Sequence, residues 1–473
     1  MSIQRKMLPY VSALVFMVAS SALLSKAVAA TYTVSSSGSS NSISKAIEGA
    51  NEGDTIRVQR GHYKERIVVD KPVKLIGINK PVIDGEGKGT IVLIKAPGCA
   101  FKGFLVRGSG ESLNMEDAGI LLDSAESSIV EDNRLEDVLF GINVKNSPRS
   151  LIRNNFIEGK NLPVEERGDG IHLWYSSESR IENNHITRTR DLVIWWSTKT
   201  LVKGNKVEKG RYGLHYMSSN DNVFEDNVFT ENSVGGFLMY SKNIKFYRNV
   251  FANNHSPAGG YGIGFKDLDN VVAEENIFID NRIGIYLDNS PYLFDAWNII
   301  KKNVIAFNDI GVSFMPSIER NAFSGNSFIE NTEQIEVRGG GTLSGNRWFE
   351  NEKGNYWSDY AGFDENGDGV GDISYAAESL FENFIDRYPN LRIFMFSPVS
   401  RAVEFASQAF PVFKPEPKVI DNHPMIDPSV PNKFKTRGTG FSFSLLVASV
   451  LLVFIPLSFY VYLIIPLKRE RYD

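Results

Sequence analysis

The chain has 473 residues, a formal net charge of −5, 42% hydrophobic residues and one cysteine, Cys99. That charge excludes the basic footprint of a nucleic-acid-binding protein, and a lone cysteine excludes an internal disulfide and a thiolate metal cluster. Forty glycines in so apolar a chain point to a turn-rich fold rather than to disorder.

Residues 1–30 read as a secretory signal. Arg5 and Lys6 precede an apolar run over Val11–Leu24, and Ala27-Val-Ala29 offers small residues for cleavage after Ala29 or Ala30. The mature chain begins with a short strand at Tyr32–Val34. Ser42–Ala50 then carries helical spacing, suited to covering the open edge of a stacked sheet. Asp54–Val58, Ile67–Val69, Val73–Ile76 and Val82–Ile83 are short apolar strands between Gly and Pro turns, and Cys99 is expected as a small buried residue of an early coil.

From residue 133 to 346 one phrase recurs ten times: an asparagine, a variable residue, then an apolar one. The asparagines are Asn133, Asn155, Asn184, Asn205, Asn227, Asn249, Asn276, Asn303, Asn326 and Asn346, separated by 22, 29, 21, 22, 22, 27, 27, 23 and 20 residues. Midway between them lies a second alternating phrase, such as Gly141-Ile-Asn-Val144, Gly213-Leu-His-Tyr216 and Gly284-Ile-Tyr-Leu287. Units this short cannot bury their apolar residues alone and must stack. With strand periodicity in every unit, residues 31–352 are predicted to form a right-handed parallel β-helix of about 12 coils with a helical N-terminal cap. The asparagine is assigned the turn between sheets, where it tolerates a left-handed conformation, and stacked asparagines are expected to bond side chain to side chain. The longer repeats place projecting loops at 160–167, 252–260 and 289–296.

Residues 353–410 break the repeat with an acidic loop and two helical segments, Leu380–Phe396 and Val399–Phe413, expected as a C-terminal cap. Residues 411–440 hold six prolines and read as a semi-rigid stalk. Residues 441–467 contain no charged residue, and these 27 positions exceed the roughly 20 that span a bilayer. The tail 468–473, with Lys468, Arg469 and Arg471, is placed on the cytoplasmic side, mainly because a signal peptide exports what precedes it.

Three groups of residues could carry chemistry. In the acidic loop, Asp364, Asn366, Asp368 and Asp372 occupy positions 1, 3, 5 and 9 of a calcium-type loop. The Val370 carbonyl stands at position 7 and Gly369 at the sharp turn, while position 12 is Tyr375 rather than a bidentate glutamate. The second group is soft: the mature chain has six histidines and six methionines, and His215, Met217 and Met239 fall in adjacent coils, with His172 in an earlier one. Imidazole and thioether suit Cu(I) where cysteine is absent. The third is a surface stripe. Aligning coils on glycine puts Ile171, Leu173, Val193, Leu214 and Phe237 inward, and His172, Trp174, Ile194, Trp196, His215, Met217, Leu238 and Tyr240 outward. Aligning on the asparagines instead stacks Met217 over Met239, and a one-residue slip exchanges the two faces. Glycosidic cleavage needs paired carboxylates at a set separation. The acidic residues here are scattered among turns and contain no Asp-Asp pair.

The coils, Gly213-Leu-His-Tyr-Met217, Phe237-Leu-Met-Tyr-Ser241 and Gly354-Asn-Tyr-Trp-Ser-Asp-Tyr360 together resemble the NosD family, over nearly all of the mature chain. The resemblance implies a periplasmic copper-binding protein, not an enzyme, and the charge-free segment 441–467 would anchor it in the inner membrane as a C-terminal helix. It implies a role in maturing nitrous oxide reductase, working with an ABC-type permease and its ATPase and receiving copper from a membrane-anchored chaperone. Against this stands a cell-surface carbohydrate-binding or carbohydrate-cleaving β-helix, in which the aromatic stripe would stack sugars.

Overall fold

The structure is a computed structural model that describes residues 29–37, 41–257, 259–377, 379–395, 397–409 and 416–429. Most of the expected signal (1–30), the expected membrane span (441–467) and the expected tail (468–473) lie outside these residues. Among the described residues no helix is long and apolar enough to cross a membrane.

Three parallel sheets of 13, 12 and 13 strands wind as a right-handed β-solenoid. Most strands are only three to six residues long, so two of the three sheets contribute a single inward side chain per coil. One column runs Val130, Ile152, Ile181, Val202, Phe224 and Phe246; a second runs Leu135, Ile157, Ile186, Val207, Phe229 and Phe251, and all are buried. The second column is the apolar residue of the repeated phrase, two positions after each asparagine. Aromatic members stack in register, Phe224 on Phe246 with centroids 4.8 Å apart and Phe251 on Phe278 at 5.2 Å.

The asparagines form a buried ladder. The backbone N–H and Nδ2 of Asn133 both donate to Asn155 Oδ1, at 3.0 and 3.1 Å, and Nδ2 also donates to the Phe101 carbonyl. The same arrangement repeats up to Asn326, whose partner is Asn355. Two details correct the sequence reading. Asn346 is not the next rung of this ladder: it closes a second one, Asn298–Asn321–Asn346. The left-handed residue is the one before the ladder asparagine, as at Asp132 (φ 57°), Asn154 (φ 55°) and Asp226 (φ 55°). The asparagine itself turns inward, where its amide satisfies backbone groups that the corner would otherwise bury unpaired.

The glycines of the second phrase have a packing reason. A Cβ on Gly213 would lie 2.4 Å from the Gly235 carbonyl oxygen, and one on Gly284 would lie 2.6 Å from that of Gly311. The coils approach too closely there for any side chain.

Both described ends are covered. The helix Ile43–Gly49, N-capped by Ser42, buries Ile43 and Ile47 over the first coil. Glu65 accepts from the Ile43 and Ser44 N–H groups at 2.7 and 3.1 Å, placing a carboxylate at the helix N-terminus. At the other end Trp357 stacks on Phe328 at 4.2 Å, and Tyr375 stacks on Trp357 at 4.3 Å. The expected helix 380–396 divides into a helix Leu380–Arg387 and a 3-10 segment Pro389–Phe394, because Pro389 cannot continue the first helix; a further helix spans Pro398–Ala409.

The expected stalk is a correction too. Residues 416–429 are not free: Val419–Asp421 pairs antiparallel with Tyr375–Ala377, and Asp421 accepts from Asn355 N and Trp357 Nε1 at 2.7 and 3.1 Å. Lys418 is fully buried, 2.9 Å from Glu333, 2.8 Å from Asp386 and 3.5 Å from Glu382. A lysine this deep needs such carboxylates, and the segment therefore straps the end of the solenoid.

Candidate binding cleft

The 12-stranded sheet settles which faces the candidate residues occupy. Register pairs His172 with Val193, Val193 with His215, and His215 with Phe237. A second row pairs Trp174 with Trp195, Trp195 with Met217, and Met217 with Met239. Between the rows Leu173, Ile194, Tyr216 and Leu238 point into the core.

The asparagine alignment is thus the correct one for Met217 and Met239. The glycine alignment placed the coils of His172 and His215 correctly and reversed the faces of the other two. Val193 and Phe237 belong to the outer rows, whereas Ile194 and Leu238 are core. Trp196 sits at a left-handed position just past its strand (φ 46°), and Tyr240, inside the strand Gly236–Lys242, is a left-handed residue (φ 53°) skipped by the pairing, so neither continues the two outer rows. The Trp196 ring stacks on Tyr175 at 5.5 Å. Trp195, not Trp196, continues the row from Trp174. The slip arises because the pairing shifts between Asp191 and Val193, where an irregularity absorbs one residue.

His172 and His215 stand two coils apart and do not converge. The Trp195 ring separates them, its centroid 5.6 Å from His172 and 5.0 Å from His215. Each imidazole has its own buried carboxylate: His215 Nδ1 lies 3.0 Å from Asp191 Oδ2, and His172 Nδ1 lies 3.1 Å from Asp169 Oδ2. Arg211 Nε donates to Asp191 and Arg190 Nε to Asp169, each at 3.1 Å. Burial works to raise the Asp191 pKa, but the hydrogen bonds from His215 and Arg211 outweigh it and hold the carboxyl below its usual range. An ionised Asp191 must accept, so His215 Nδ1 is the donor of this contact, and in a neutral imidazole held this way the lone pair stands on Nε2.

These groups line a cleft of about 430 Å³ with Trp174, Trp195 and Phe140 as its apolar walls. Met217 and Met239 are half-buried and continue the same face. The sequence reading missed Asp169, Asp191, Arg190 and Arg211. A signal existed: each arginine follows its aspartate by 21 or 20 residues, about one coil.

The acidic loop lies elsewhere, beyond the last coils. Its residues are brought together as anticipated in spacing, and they bond within the loop. Asp364 accepts from Gly367 N at 2.7 Å and Gly369 N at 2.8 Å, Asp368 from Val370 N at 2.8 Å, Asn366 from Asp368 N at 2.8 Å, and Asp372 from Glu365 N at 2.6 Å. The strap pins this loop, since Gly371 N donates to Pro424 O and Ile426 N to Gly369 O.

Fold and cleft define a parallel β-solenoid whose 12-stranded sheet carries an aromatic, ion-paired cleft on its outer face. A family model described as periplasmic copper-binding protein (NosD) matches residues 154–362, and one of unknown function (DUF1565) matches residues 72–205. A protein of Stutzerimonas stutzeri, described as a probable ABC transporter binding protein NosD, is 30% identical over 427 residues, covering 78% of this chain and 86% of that one. Its counterpart in Pseudomonas aeruginosa is 29% identical over 374 residues, covering 77% and 86%. The chain belongs to the NosD family. Among solved structures it is similar to the A-module of Azotobacter vinelandii mannuronan C-5 epimerase AlgE6 (TM-score 0.52, 14% identity, 65% of this chain and 93% of that one). It is likewise similar to the catalytic domain of a GH87 alpha-1,3-glucanase (TM-score 0.52, 14% identity, 69% of each chain). At such identity the likeness is one of fold alone.

Proposed function

We propose that the protein is an extracytoplasmic copper-binding accessory protein that works with an ABC-type permease and its ATPase. It takes Cu(I) from a membrane-anchored chaperone and delivers it for maturation of the nitrous oxide reductase copper centre, without catalysing a reaction of its own. The signal at 1–30 exports it, and 441–467 anchors it in the inner membrane. Family membership and the relatives' description as ABC transporter binding proteins support the partner.

The observation that carries the copper reading is the outer face of one strand pair. Met217 lies beside Met239, and His215 is two residues from Met217 on the same side. Neighbouring strands are about 4.8 Å apart, so side chains from both coils can reach one ion. Asp191 fixes the His215 tautomer, which is how metal-binding imidazoles are oriented. Two thioethers and one imidazole form a neutral, soft set that favours Cu(I) over Zn(II). His172, two coils away behind Trp195, serves as a second station rather than a ligand of the same ion. The acidic loop holds calcium for structural purposes only, since it lacks the bidentate glutamate of a switching site.

Cu(I) titration against a competing chelator, with Trp195 emission as a second readout, tests this. A parent protein that takes no Cu(I) ends the copper reading. The Trp174 and Trp195 walls beside ion-paired carboxylates would then favour the second reading, a cleft that stacks sugars.

A further inference from the structure

The C-terminal cap buries Phe381 and Ile385 of its first helix but leaves a set of large apolar side chains exposed. Phe384, Tyr388, Ile393, Phe394, Val399 and Phe405 are all exposed, Ile393 at 81% and Phe405 at 73%. In the helix Pro398–Ala409, Val399, Ala402, Phe405 and Ala406 share one exposed face while Ser400 is buried. A helix that only closed a solenoid would have the opposite polarity. Clustered exposure of this kind marks a surface made to be covered.

The chain itself says by what. Lys418 joins the strap to Glu382 and Asp386 of the cap helix Leu380–Arg387, and Ser429 bonds Ser327 of the last coils at 2.8 Å. The last described residue is therefore tied to the same end as the apolar cap. From Ser429 to Phe441, where the charge-free segment begins, the chain can extend at most about 40 Å. Lys433, Lys435 and Arg437 stand in this tether and favour an anionic surface.

We propose that the exposed apolar face of the cap, centred on Ile393 and Phe405, lies in the headgroup region of the bilayer. Resting on the reading that 441–467 crosses that membrane, this gives the solenoid a second membrane contact, one that limits its tilt over the membrane. The aromatic and aliphatic side chains would enter about 5–10 Å, the depth of an interfacial helix.

The test uses the full chain in vesicles of phosphatidylcholine and phosphatidylglycerol. Cys99 is buried, with its thiol pushed up by burial, and stays unlabelled. An environment-sensitive probe is attached in Phe405→Cys and, separately, in Ile393→Cys. Phe294→Cys, 88% exposed on the 289–296 loop, is the control. The cap probes should shift to the blue and lose about half their emission to shallow lipid nitroxides, as interfacial burial requires, while the control stays water-like. Water-like emission at both cap positions overturns the proposal. A blue shift without lipid quenching also overturns it, because a protein surface, such as a second copy or the permease, would then be the occupant. Retention after an alkaline carbonate wash reports separately on the membrane-crossing segment.

Discussion

The Trp195 ring stands between His172 and His215, 5.6 Å from one ring centroid and 5.0 Å from the other. The two imidazoles therefore cannot share one ion while this packing persists. His215→Ala, Met217→Ala and Met239→Ala should each weaken Cu(I) binding about tenfold or more, the loss of roughly 1.4 kcal/mol expected for one soft ligand. His172→Ala should change it by less than about twofold, a few tenths of a kcal/mol. Equal losses at His172 and His215 would show that the ion is not held where the methionines are.

Asn227 makes a sharper test of the ladder than its turn position suggested. Its Oδ1 accepts from Asn205 N and Nδ2, and its Nδ2 donates to Val202 O and Asn249 Oδ1. Asn227→Ala strands several of these buried groups, so a loss of about 2–4 kcal/mol is expected in urea unfolding with the fold retained. Asn227→Asp should recover less than half, because a carboxylate accepts but cannot donate. Stability unchanged within error in both variants would mean that the ladder contributes nothing net.

The acidic loop already satisfies many of its carboxylate oxygens with backbone N–H groups. If calcium binds there, millimolar calcium should raise the melting temperature of the parent, and Asp364→Ala with Asp368→Ala should abolish the rise. Metal analysis of the purified protein guards against a site too tight to strip. Identical melting with calcium and with chelator, in protein free of bound metal, would dismiss the ion.

The strap predicts a pH dependence. Glu333, Glu336, Glu382 and Asp386 face Lys418, Arg392 and Arg338, one carboxylate more than the cations. Burial, with Glu333 beside it and despite Lys418, pushes Asp386 up to about 7. A carboxyl raised on folding binds its proton more tightly in the native state. Its stabilising effect is full below the unfolded pKa near 4 and is lost as pH rises through 7. Melting temperature measured between pH 4 and 8 should therefore fall less steeply in Asp386→Asn than in the parent. A parent profile as flat as the variant's would place the shared proton elsewhere.

The solenoid was legible because its physics is periodic. An apolar residue two positions after each asparagine, repeated at coil length, can be buried only by stacking, and Leu135, Ile157 and Phe229 are buried in that way. The soft cluster was legible for the same reason, since Met217 and Met239 are one coil apart in sequence and adjacent in space. What the linear pattern did not contain was register. The irregularity between Asp191 and Val193 moves Trp195 onto the outer face and Trp196 onto a turn, and a one-residue slip of this kind is invisible to counting from glycines. Nor could it reveal that Asn326 passes its hydrogen bonds to Asn355, 29 residues on, rather than to Asn346. The strap was hidden for a different reason. Lys418 reaches Glu333 across 85 residues of chain, and nothing local distinguishes a proline-rich stalk from a proline-rich clasp. Local chemistry and repeat length determined the fold, the ladder and the candidate ligands. Only tertiary packing decided which groups meet, because burial couples residues by distance in space and the sequence orders them by distance along the chain.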